Sequence, residues 1–136
     1  MKTADAVLDP LADEDGGFDV YAKDCPARMV LNRLADKWAL LIVKLLKGGP
    51  LRFNQLRREI EGVSQKALSQ TLRRLERDGL VDRRVFATVP VTVEYSLTEL
   101  GRTLAEAFEP LADWAHSHIR EVLAAQSRYD AVSEAA

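Results

Sequence analysis

Cysteine is nearly absent: Cys25 is the only one in 136 residues. An intrachain disulfide and a cysteine metal cluster are thereby excluded. Histidine is almost as scarce. His116 and His118 are the only two, and residues two apart on a helix point in different directions, so no metal site is expected from them. No apolar run reaches the roughly 18–20 residues of a membrane span. The acidic opening MKTADAVLDPLADEDGG lacks the long apolar core of a secretory signal. A soluble cytoplasmic protein with no membrane partner is expected. A phosphate-cradling glycine loop, a nucleophile elbow and a zinc-protease histidine pair are also missing. Neither a cofactor nor enzyme chemistry is expected.

What is present is unevenly charged. The net charge of −2 conceals three segments. Residues 1–25 carry −5, residues 26–84 carry +8 and residues 85–136 carry −5. A basic segment inside an acidic chain is the electrostatic footprint of nucleic-acid binding, which the whole-chain charge hides.

The basic segment also has a recognisable order of elements. Phe53 to Ile60 reads as a helix ending at Gly62, and a second helix follows Ser64 and runs to about Arg77. Asp78-Gly79 closes it. Two β-type runs follow, Val81 to Phe86 and Val91 to Leu97, with Ala87-Thr88-Val89-Pro90 as the tip between them. Helix, short turn, cationic helix and hairpin make a winged helix-turn-helix, which presents its second helix to DNA. At about 100° per residue, Leu68, Leu72 and Leu75 fall within ~60° of one another, as a buried stripe. Lys66, Gln70, Arg73 and Arg77 fall within ~60° on the opposite side. Ser64 is a good N-cap, and Gln65 and Ser69 flank the basic face. Arg and Gln read guanine and adenine edges, whereas Lys and Ser more often hold phosphates. Arg83 and Arg84, on the first wing strand, are candidates for the backbone or the minor groove.

Around this unit the sequence places two further helical regions. Asp24-Cys25-Pro26 reads as a helix start, and the helix runs to about Leu34 with Met29, Val30, Arg33 and Leu34 on its stripe. Lys37 to Leu46 is the next, with Trp38, Leu41, Ile42, Leu45 and Leu46 at helical spacing, stopped by Gly48-Gly49-Pro50. Thr98 caps a long terminal helix whose apolar positions include Leu104, Phe108, Leu111, Trp114, Ile119 and Leu123. Pro110 is expected to kink or interrupt it. The expected organisation is an acidic tail over 1–22, a winged helix-turn-helix over 23–97, a C-terminal dimerisation helix over 98–125 and a flexible tail over 126–136. The fold class is mainly α with a small β-wing (α+β). A homodimer is expected, with Met29 and the terminal-helix positions Leu104, Phe108, Leu111, Trp114, Ile119 and Leu123 at its interface.

The segments CPARMVLNRLADKWALLIVKLLKGGPLRF, REIEGVSQKALSQTLRRLERDGLVDRRVF and PVTVEYSLTELGRTL, with the later Trp114, resemble the HxlR family of bacterial winged-helix regulators. The resemblance implies a homodimeric, MarR-like transcription factor, usually a repressor. Its terminal helices would build the dimer, and its two recognition helices would enter successive major grooves of a near-palindromic operator. By matching position it places Ser64, Lys66, Ser69 and Arg73 at the DNA. Asp36 departs from the pattern, where Gly is usual before Lys-Trp. Thr92 departs as well, where a basic residue is frequent, and this weakens the expectation of a wing-tip contact.

Two readings of the controlling signal stand. Cys25 lies at a helix start near Lys23 and Arg28, with Asp24 opposing them. The matching cysteine of several similar regulators senses quinones, aldehydes or oxidants, so Cys25 is a candidate redox sensor. A buried structural role is the alternative. The second reading is a small aromatic effector held between the DNA-binding domain and the dimer helices by Trp38, Tyr95, Phe108 and Trp114. The same aromatics also serve as plain core. An interaction module that had lost DNA binding would have a depleted recognition face, which Lys66, Gln70, Arg73 and Arg77 argue against.

Overall fold

The computed structural model describes residues 18–135. Most of the expected acidic tail, residues 1–17, and the last residue lie outside them. Among the described residues, five helices and a small antiparallel sheet make an α+β winged helix-turn-helix: α1 (Pro26–Leu34), α2 (Lys37–Leu46), β1 (Leu51–Arg52), α3 (Phe53–Glu59), α4 (Gln65–Arg77), β2 (Val81–Phe86), β3 (Thr92–Leu97) and α5 (Glu99–Ala135).

Local chemistry sets the boundaries. Pro26 occupies the first turn of α1, where its missing N–H costs nothing. The Asp36 carboxylate accepts the Trp38 N–H at 2.9 Å and starts α2. Asp36 therefore does more than replace a glycine at the junction. The Ser64 hydroxyl accepts the Ala67 N–H at 3.0 Å and starts α4, a cap worth about 1 kcal/mol. Gly79, with φ of 77°, ends α4 in a left-handed turn. The Leu80 N–H reaches the Leu75 carbonyl and the Gly79 N–H reaches that of Glu76, so both of these carbonyls in the last turn of α4 are satisfied.

The core joins these elements. Ile42, Val43, Leu56, Leu68, Leu72 and Val81 are its most enclosed side chains. The three leucines expected on the inner stripe of α4 are all buried there, joined by Thr71, whose hydroxyl donates to the Ala67 carbonyl at 2.8 Å. The strand order is β1-β3-β2, with Val81 opposite Leu97 and Phe86 opposite Thr92. The short β1, which the sequence pattern did not reveal, pairs Leu51 with Tyr95 and Arg52 with Glu94.

α5 runs without interruption through Pro110. It also continues to Ala135, through the stretch expected to be a tail from residue 126. Tyr129 and Val132, four and seven residues after Ala125, carry the helical apolar spacing of Val122 and Ala125 on through that stretch.

Candidate nucleic-acid interface

The seating of α4 determines what it can offer to a partner. With Leu68, Leu72 and Leu75 in the core, its opposite face must point outward. Gln65, Lys66, Gln70, Arg73 and Arg77 are exposed, and Ser69 is half-buried beside them. The Arg73 guanidinium donates to the Ser69 hydroxyl at 3.4 Å, one helical turn away. Ser64 spends its oxygen lone pair on the cap and keeps its O–H free to donate. The helix thus presents donors of several lengths along one side, as base-edge and phosphate recognition need.

The positive charges sort by position. Arg74, on the side of α4 turned toward α1, pairs with Asp36 at 3.6 Å. Arg33 of α1 is ion-paired with Asp78 at the end of α4. Lys44 and Lys47 share Glu109 at 3.7 and 3.5 Å. Among the described residues, Lys66, Arg73 and Arg77 make no such pair, so the charge on the outer face of α4 is uncompensated. The two pairs made by Asp36 and Asp78 tie the α1–α2 junction to the back of the recognition helix. Sequence reasoning missed this link. Asp36 showed only as an unusual residue, and partners 45 positions apart leave no periodic trace.

The wing separates two residues that the sequence grouped. Arg83 lies opposite Tyr95 and Arg84 opposite Glu94. Successive strand residues point to opposite faces, so Arg83 and Arg84 cannot share one wall. Both are exposed.

The remaining candidates are scattered. Cys25 is 3% exposed and sits just before α1, where its N–H reaches the Ala22 carbonyl at 3.1 Å. Trp38 and Tyr95 pack against the core, and Trp114 is 55% exposed and stacks on His118 at 4.9 Å between centroids. Phe108 is half-buried. Grooves on the described surface, between α3 and the wing and between α1 and α4, are lined by other residues. Of the expected interface positions, Leu104 packs on the core, whereas Met29, Leu111, Trp114, Ile119 and Leu123 are exposed.

The order of elements, the capped basic helix and the hairpin are those of a known group of regulators. The HxlR-like helix-turn-helix family pattern matches residues 33–123, two-thirds of the chain. The chain belongs to that family. An HTH-type transcriptional regulator of Escherichia coli (strain K12), YtfH, is 45% identical over 106 residues, covering 78% of this chain and 84% of that protein. The solved structure of a transcriptional regulator, ytfH, from Salmonella typhimurium is 41% identical with a TM-score of 0.76, covering 80% of this chain and 97% of that one. The redox regulator HypR in its reduced form is 39% identical with a TM-score of 0.67, covering 74% and 98%. This HxlR-like chain is a helix-turn-helix transcriptional regulator. Among the described residues no helix is long and apolar enough to cross a membrane.

Proposed function

We infer that this HxlR-like regulator binds a near-palindromic operator as a homodimer, reads it with the outer face of α4, and releases it when Cys25 is oxidised or alkylated. The observation that carries the reading is the division of α4: one side is locked in the core and the other is cationic, exposed and unpaired. Repression is the outcome of occupancy that the family resemblance implies. Met29, Val30 and Leu31 are exposed on α1, and α5 carries an exposed apolar face from Leu111 to Leu123, so both terminal helices have surface for a second copy.

The redox part rests on the position of Cys25 and on the likeness to a redox regulator. A bridge between the Cys25 thiols of two subunits would release two protons and two electrons to the oxidant. Because Cys25 is buried, reaction requires the start of α1 to open. The pairs Arg33–Asp78 and Asp36–Arg74 link the other end of α1 to α4, which supplies a physical route to the operator. In gel shifts at fixed salt, diamide or a quinone should weaken operator binding by the wild-type protein about tenfold or more, within the usual range of coupling between sites. Cys25→Ser should bind equally with and without oxidant. An undiminished oxidant response in Cys25→Ser rules out thiol sensing. Control by a small aromatic ligand has less support, since Trp38 and Tyr95 are occupied in the core and Trp114 stacks on His118.

A further inference from the structure

α3 and the wing face each other across a groove of about 490 Å³. On one side stand Arg52, Asn54 and Arg58, all exposed. Asn54 and Arg58 are four residues apart, so they project from α3 one above the other. Across from them are Pro90 and Thr92, at the tip and start of β3. The tip from Ala87 to Val91 contains no charged residue, and Val89 is wholly exposed. The positive charge of this groove therefore comes from α3 and β1, not from the wing.

That charge is not cancelled. Among the described residues neither Arg52 nor Arg58 makes an ion pair. The acidic neighbour in the sheet is Glu94, which lies opposite Arg52 on one side and Arg84 on the other. One carboxylate between two guanidiniums leaves a cationic excess. Glu59 follows Arg58 in sequence but does not line the groove. Two arginines, an amide and a hydroxyl across an open channel suit a polyanion that passes through. An enclosing pocket would suit a free anion better. The apolar rim made by Pro90 and the exposed Val91 suits the face of a sugar.

We propose that the groove between α3 and the wing holds the phosphodiester backbone of the operator, with Arg52 and Arg58 supplying charge and Asn54 a hydrogen bond. The inference rests on DNA binding through α4 and adds a second footing to it. Contacts to phosphate position a protein without reading sequence, so these residues set affinity and register, and leave base preference to α4.

The test is fluorescence anisotropy of the full chain with an operator duplex and a scrambled duplex, over a range of salt. Arg58→Ala should weaken binding to both duplexes by about the same factor, near tenfold, the scale of a lost charged hydrogen bond. The slope of log affinity against log salt should fall by about one. Arg52→Ala should do the same, and the double variant should lose about two from the slope. Arg58→Lys keeps the charge and should keep the slope. Arg128→Ala, far along α5, should change neither quantity. Unchanged affinity and slope in folded Arg52→Ala and Arg58→Ala, with the wild type still binding, overturn the inference alone. A loss confined to the operator also overturns it, because that is base readout. A wild-type protein that binds neither duplex overturns the underlying DNA-binding reading and this proposal together.

Discussion

Gly101→Ala should destabilise the folded chain by about 3 kcal/mol, at the upper end of the usual cost of overpacking. Its melting temperature should fall by roughly 10 °C. A methyl group on Gly101 would stand 2.0 Å from the Leu80 carbonyl oxygen and 3.1 Å from the Leu97 Cδ2. That oxygen cannot easily retreat. It accepts the Thr98 N–H at 3.1 Å, and the Leu80 N–H is itself held by the Leu75 carbonyl at the end of α4. Thr98 fastens the same corner twice more: its hydroxyl donates to the Gly79 carbonyl at 2.6 Å and accepts the Gly101 N–H at 2.9 Å. The gain in helix propensity from alanine, about 1 kcal/mol, is smaller than the clash. Gly48→Ala is the control. Its added carbon would meet only the Leu45 carbonyl, at an ordinary 3.5 Å, so its stability should hardly change. Urea unfolding of the two variants decides the point. A Gly101→Ala variant as stable as the wild type would show that α5 does not dock on the end of the recognition helix in this way.

Trp114→Asp should have the larger effect on function. Leu111, Trp114, Ile119 and Val122 fall within about 140° of one another on α5. Each is at least one-third exposed in the single chain. At about 1.5 Å per residue the helix extends roughly 55 Å, whereas its buried residues, Gly101 and Ala105, lie near its start. A tryptophan side chain brings 150–250 Å² of apolar surface, in the general range for its type, and a carboxylate in its place would face a desolvated interface. Trp114→Asp is therefore expected to be monomeric in sedimentation experiments. Operator affinity should fall about 10²–10⁴-fold, because the second half-site contact no longer follows from the first. A wild-type protein that sediments as a monomer, or a monomeric variant that binds the operator as well as the wild type, contradicts the proposed dimer.

How much of this could be read from the chain depends on the range of the forces involved. The starts of α1 and α4 and the end of α4 follow from Pro26, Ser64 and Asp78-Gly79, which act on their own backbone neighbours. The inner stripe of α4 follows from the spacing of three leucines. β1 escaped because two residues carry no period, and it is stabilised by pairing with β3. The length of α5 escaped because only Tyr129 and Val132, set among polar residues, carry its apolar spacing past residue 126. The α1–α4 ion pairs and the α3–wing groove join residues far apart in sequence, so only the fold brings them together. The split between Arg83 and Arg84 was present in the period of a strand, once the strand was granted.

Base reading by α4 is tested most directly by the sequence preference of the recognition helix. Affinity for the DNA upstream of the regulator's own gene would be measured at fixed salt against a scrambled duplex of equal length. The wild type and a Gln70→Ala/Arg73→Ala variant would be compared. The wild type should prefer the upstream DNA by about 10³-fold or more. The double variant should lose most of that preference, at about 1–3 kcal/mol for each base contact, while keeping its non-specific affinity. A double variant that discriminates as well as the wild type would contradict the assignment of base reading to the outer face of α4.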